Sequence, residues 1–311
     1  MKEKQLKPLE GIIVPLVTPL ANNDQIDVKS LEKLIEHVIE GGVHGIFVLG
    51  TSGEAQSISM RLREEMIRET SRILRNRLPL LVGISDTSLN DSAALAQKAY
   101  EAGAYAVVAT PPYYFATGQS ELIEYFENLL SILPLPLFLY NMPVHTKMSF
   151  DAKTIKYIAQ NEKVIGFKDS SANATYLQTV MYSMRERPDF MIFVGPEEMT
   201  SEMLLMGASG GVNGGANLFP KLYVELYNAA KSHNIEKVRD LQQKVMQIST
   251  SIYNKGKYGS SYLKGLKCAL SIAGICNDYP AMPFSSFDKE TKTEIRKAME
   301  KIQNILQAET I

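Results

Sequence analysis

Cysteine, charge imbalance and long apolar runs are all scarce in this chain, and each scarcity removes a class of protein. Only two cysteines occur, Cys268 and Cys276, without a Cys-x-x-Cys spacing, so they read as buried hydrophobes rather than a disulfide or metal pair. The formal net charge is −1 with both signs mixed throughout, which predicts neither nucleic acid nor an anionic membrane as partner. No apolar run approaches the length of a membrane span. The opening Met-Lys-Glu-Lys-Gln-Leu-Lys lacks the apolar core of a signal peptide, so the expectation is a cytoplasmic protein. Low-complexity segments and linkers are missing too.

What is there is alternation. Gly11–Val17 reads as a strand, and Val28–Glu40 has helical apolar spacing, with Asp27 as N-cap and Gly41 as terminator. Strand and helix then repeat: Gly45–Leu49 with Ile58–Leu74, Leu80–Ile84 with Leu89–Ala102, Tyr105–Ala109 with Gln119–Leu130, and Leu135–Tyr140 with Ala152–Ala159. Val164–Lys168 with Tyr176–Met184, Met191–Val194 with Met199–Met206, and a thin Gly210–Val212 with Lys221–Ala230 complete the series. Eight pairs without a composition break predict one closed parallel (β/α)8 TIM barrel over residues 1–232. Residues 233–311 lack clear strands and read as a C-terminal helical extension, with Leu241, Val245, Ile248 and Ile252 on one stripe.

Chemistry in such a barrel gathers at the C-terminal ends of the strands. Val164-Ile165-Gly166-Phe167 is a buried strand that ends in Lys168. A lysine there either snorkels to the surface or serves as an amine nucleophile, since desolvation favours the free amine. The segment alone leaves the two readings level. The other strand ends supply Gly50-Thr51-Ser52-Gly53-Glu54, whose hydroxyl and amide donors can hold a carboxylate, then Pro112-Tyr113-Tyr114 and Tyr140-Asn141-Met142-Pro143. They also supply Gly195-Pro196-Glu197-Glu198 and the run Gly210–Gly215. A single tyrosine at a strand end is usually a wall residue. Lysine, hydroxyls and tyrosines converging on one face suit imine formation with a proton relay.

Together with Val17-Thr18-Pro19 and Gly166-Phe167-Lys168-Asp169-Ser170, these stretches resemble, in order, the dihydrodipicolinate synthase and N-acetylneuraminate lyase family of class I pyruvate-dependent aldolases. The resemblance implies Lys168 as the Schiff-base lysine, Tyr140 as the proton relay, and Thr51 and Ser52 as the carboxylate-holding pair. It implies Tyr113, or its neighbour Tyr114, as the tyrosine lent across a dimer interface. Val212 matches a position beside bound pyruvate, and Ser170 is a further candidate for binding. The implied partners are a 2-keto acid and an aldehyde, with no metal or organic cofactor. A homo-oligomer is implied as well, either a dimer or a tetramer.

The chain departs from the synthases where they carry an arginine for the second substrate's carboxylate, because His145 and then Lys147 follow here. A histidine does not reproduce a guanidinium fork. Gly195, Glu197 and Glu198 fall where sialic acid lyases contact the sugar's hydroxyl tail. The bland alternative, acidic residues at a helix start, weighs more on Glu198 than on Glu197. Gly214 stands where those lyases often carry a serine. The leading expectation is a lyase acting on a 2-keto-3-deoxy sugar acid. Alternatives are a sugar-acid dehydratase using the same imine, 4-hydroxy-tetrahydrodipicolinate synthase, and a non-catalytic 2-keto acid sensor. A phosphosugar-binding barrel is disfavoured, because three glutamates and no lysine or arginine lie between Asp189 and Pro220.

Overall fold

The computed structural model describes residues 8–307. The first seven residues, read above for a leader, and the last four of the tail lie outside the described residues. Strands β1 (Gly11–Pro15), β4 (Gly45–Val48), β5 (Leu80–Gly83), β6 (Ala106–Ala109), β7 (Leu137–Asn141), β8 (Val164–Asp169), β9 (Met191–Val194) and β10 (Gly210–Gly211) close into an all-parallel barrel. The predicted (β/α)8 barrel is therefore the observed fold. A hairpin of β2 (Leu20–Asn22) and β3 (Gln25–Ile26) lies beside it, too short to carry a period in the sequence.

Helix α1 (Val28–Glu40) starts where Ser30 N–H donates to Asp27 Oδ1 and stops at Gly41, as its caps predict. Helices α2 (Met60–Leu74), α3 (Leu89–Glu101) and α4 (Gln119–Ile132) follow, with Ser59 and Ser88 capping the first two. A single turn α5 (Pro143–Thr146) precedes α6 (Ala152–Ile158), α7 (Ala174–Ser183), α8 (Thr200–Leu205) and α9 (Pro220–Lys231). The tail forms α10 (Ile235–Ile248), a π-turn at Ser249–Tyr253, α11 (Ser261–Ile272) and α12 (Lys289–Gln307).

Alternation along each strand sorts two cores. Ile12, Val14, Ile46, Val48, Leu139, Phe167 and Ile192 pack outward against the helices. Ile13, Phe47, Phe138, Tyr140 and Phe193 fill the barrel interior. Among the described residues no helix is long and apolar enough to cross a membrane.

Candidate active site

Because Phe167 turns outward, its neighbour Lys168 points into the barrel, level in register with Tyr140 on β7. Lys168 is 6 % exposed. Its Nζ lies 3.9 Å from the centroid of the Tyr140 ring and 5.1 Å from that of Phe47. Gly166, two residues earlier, is required by packing, since a Cβ there would come within 2.3 Å of the Phe138 ring.

The Tyr140 hydroxyl is 3.3 Å from Thr51 Oγ1 and 3.5 Å from Ser170 Oγ. Burial pushes its pKa up, but the Lys168 charge and the surrounding hydrogen bonds outweigh burial and hold the phenol below its ordinary value. The next residues on the two strands tie them together. Asn141 Nδ2 donates to Asp169 Oδ1 at 2.8 Å, and Phe150 N–H donates to Asn141 Oδ1 at 3.2 Å. Burial raises the Asp169 pKa, while Ser171 donates to that carboxylate from its backbone and its hydroxyl.

Lys168, Tyr140, Thr51, Ser52, Tyr113, Ser170, Gly195, Glu197, Glu198 and Val212 all line one cavity of about 620 Å³. Residues separated by up to 161 positions in the chain thus converge, as a barrel mouth requires. The two glutamates differ. Glu197 is 4 % exposed, its Oε1 accepting from the Tyr223 hydroxyl at 2.8 Å and its Oε2 from Gly215 N–H at 2.9 Å. Burial, reinforced by the Glu198 charge, pushes the Glu197 carboxyl up to about 7. Glu198 is exposed and accepts from the Ser249 hydroxyl. Gln242 pins both backbones by donating to the Glu197 and Glu198 carbonyls at 3.0 and 3.1 Å.

Tyr113 is half-buried against the cavity, whereas Tyr114 and Phe115 are 71 % and 77 % exposed and meet edge to face. Burial and the Asp86 charge raise the Tyr113 pKa. His145 also lines the cavity at its solvent-exposed edge, and partial desolvation lowers its pKa. Lys147 turns to Tyr114 instead, its Nζ donating to that residue's carbonyl at 3.3 Å. Among the described residues that line the cavity, Lys168 and His145 are the only basic side chains.

One wall comes from the tail: Tyr253, Tyr262, Leu263 and Phe284. Ser52 Oγ lies 3.0 Å from the Tyr262 hydroxyl. Sequence reasoning missed this wall and Phe47. The alternation of β4 was signal enough to turn Phe47 inward, but nothing in the sequence joined α11 to the Thr51-Ser52 loop.

An eight-stranded parallel barrel with a buried strand-end lysine under a tyrosine is the architecture of the class I aldolases and lyases, and this protein is an enzyme of that class. More narrowly, the chain belongs to the dihydrodipicolinate synthetase family, whose sequence pattern matches residues 8–302. It is 34 % identical to an uncharacterized DapA-like lyase of Pyrococcus horikoshii, over 86 % of this chain and 91 % of that one. It is 30 % identical to the probable 2-dehydro-3-deoxy-D-pentonate aldolase YjhH of Escherichia coli, over 78 % of this chain and 81 % of the other. Among solved structures, a dihydrodipicolinate synthase from Bacteroides thetaiotaomicron superposes with a TM-score of 0.92 at 62 % identity, covering 94 % of this chain and 99 % of that one. YagE of Escherichia coli, solved in complex with pyruvate, gives 0.90 at 26 % identity, covering 94 % and 98 %.

Proposed function

We propose that the protein is an imine-forming lyase that cleaves a 2-keto-3-deoxy sugar acid into pyruvate and an aldehyde, or joins the two. The observation that carries this reading is Lys168, a buried amine 3.9 Å from the Tyr140 ring in a cavity that no arginine lines among the described residues. The Lys168 amine attacks the ketone carbon, and water leaves to form a protonated imine. The imine takes up the electron pair of the C3–C4 bond as the C4 hydroxyl loses its proton and the aldehyde departs. Protonation at C3 and hydrolysis then release pyruvate. Tyr140, with Thr51 on its hydroxyl, moves the protons. Thr51 and Ser52 hold the carboxylate beside the Val212 backbone. The imine itself is the electron sink, so the scheme calls on no metal or organic cofactor.

The tail of the substrate is neutral in this reading. A phosphate or second carboxylate would meet Glu197 and Glu198 with no guanidinium to offset them. Exposed Glu198 receives tail hydroxyls, while Glu197, held by Tyr223 and Gly215, fixes the wall behind. The sugar-acid aldolase name of YjhH supports this assignment.

4-Hydroxy-tetrahydrodipicolinate synthase is the second reading. The 62 % identity to the Bacteroides protein favours it, and His145 in place of an arginine opposes it. A homo-oligomer, dimer or tetramer, would place the outward Tyr114 and Phe115 against a second copy. Free, buried Cys268 and Cys276 accord with a cytoplasmic setting.

A substrate panel tests the assignment. Pyruvate released from 2-keto-3-deoxy sugar acids supports cleavage. Substrate loss with every carbon retained means dehydration. Condensation confined to an aldehyde bearing its own carboxylate means the synthase, and imine formation without turnover means a sensor.

A further inference from the structure

The loop that carries Thr51 and Ser52 ends in a buried ion pair that the scheme above does not use. We propose that Glu54 and Lys267 are positioning residues, through which the C-terminal helix α11 sets the hydroxyls that receive the 2-keto acid carboxylate. This rests on the reading of Thr51 and Ser52 as the carboxylate-holding pair.

The Lys267 and Glu54 side chains are 0 % and 1 % exposed and form a direct ion pair. Lys267 Nζ also donates to the Tyr279 carbonyl at 2.8 Å, and Glu54 Oε1 accepts from Ala281 N–H at 2.7 Å. One carboxylate and one ammonium thus join the loop, α11 and the segment that follows α11. Glu54 stands in the left-handed region at φ +56°, a conformation that costs energy for a residue with a Cβ and needs outside contacts to persist. Its N–H closes a tight turn onto the Thr51 carbonyl at 3.1 Å, and Thr18 Oγ1 donates to the Gly53 carbonyl at 2.7 Å. The loop is therefore pinned at Gly53 and Glu54, and Thr51 and Ser52, just before them, line the cavity, which Glu54 also borders.

Buried ion pairs lose much of their attraction to desolvation, so stability alone is a poor account of this one. What the pair fixes is the separation of loop and helix. The same helix touches the loop a second time, where the Tyr262 hydroxyl meets Ser52 Oγ. A change in that separation would move the Thr51 and Ser52 hydroxyls relative to Lys168, yet leave Lys168 and Tyr140 on their own strands. The pair should accordingly govern keto acid affinity and leave the capture of the ketone by Lys168 intact, whereas later proton transfers also depend on Thr51 beside the Tyr140 hydroxyl.

The test is borohydride trapping of pyruvate, titrated in pyruvate, on the full chain and on the double variant Glu54→Gln/Lys267→Met, which removes both charges at nearly constant size. Half-saturating pyruvate should rise on the order of tenfold, the loss expected when a charge-assisted contact goes out of register. The trapped plateau at saturating pyruvate should stay within about twofold of the parent. Half-saturation unchanged beside a lower melting temperature would make the pair merely structural and overturn the proposal. A plateau that falls in step with affinity would overturn it as well, since the pair would then act on the chemistry. Should the double variant fail to fold, Glu54→Asp keeps the charge and withdraws it by one methylene. It should raise half-saturation too, and no change there refutes the idea. A parent protein that traps no pyruvate at all would instead refute the imine reading on which the proposal rests.

Discussion

Replacing Glu197 by glutamine separates a wall residue from a substrate ligand, and the structure sets the size of the effect. An ordinary glutamate has a pKa of 4.5, but burial holds this one at about 7. The raised pKa means that the folded state favours the protonated form. The stability this contributes is fully present below pH 4.5 and is lost as pH rises through 7. At about 1.4 kcal/mol per pH unit, the lost amount is roughly 3 kcal/mol. Glutamine copies the protonated acid. Its carbonyl can accept from Gly215 N–H, and its amide can donate to a Tyr223 hydroxyl that reverses its role. Glu197→Gln should therefore flatten the fall in melting temperature between pH 5 and pH 8 and melt a few degrees above the parent at pH 8, about 2 °C per kcal/mol for a chain of this size. The KM for long-chain keto sugar acids should move less than about twofold. Melting curves across pH, read beside KM, make the comparison. An undiminished pH slope with a tenfold rise in KM would refute the reasoning and return Glu197 to the substrate's hydroxyl tail.

Tyr140→Phe keeps the ring over Lys168 and removes the hydroxyl, so keto acid binding should persist while turnover falls about a hundredfold or more. Unchanged turnover would reduce Tyr140 to a wall residue. His145→Arg places a permanent cation among the lining residues and should raise kcat/KM for an aldehyde bearing its own carboxylate relative to a neutral one; no change in that ratio counts against His145 as a determinant of the tail. Phe126→Ala empties a fully buried site between the helices and the barrel, and should cost about 3–5 kcal/mol in denaturant titrations while KM stays put.

Legibility followed the physics of each element. The barrel could be read because each strand–helix pair writes a period into contiguous residues. Lys168 stood out because a cation at the end of Val164–Phe167 breaks an apolar run, though that segment alone left a surface lysine and a nucleophile level. The strand-end residues then fell into one cavity through topology alone. Contacts between remote segments were a different matter. The apolar stripe of α10 told that the helix is buried, but not that Gln242 clasps the Glu197 and Glu198 carbonyls. Ser249 and Tyr253 reach the site from a π-turn, which has no sequence period. Glu197 was read as facing the substrate because it falls where sialic acid lyases contact the sugar's hydroxyl tail. Only its partners, Tyr223 and Gly215, reveal that it is anchored from within.

The central claim, that Lys168 is the amine that captures a 2-keto acid, is tested most directly by mapping the borohydride-reduced pyruvate adduct. Purified protein is incubated with pyruvate and borohydride, digested, and the modified peptide sequenced by mass. The account predicts one adduct, on Lys168, and none in a folded Lys168→Ala variant. No adduct in the parent protein, or an adduct on another lysine such as Lys147 that persists in Lys168→Ala, would contradict it.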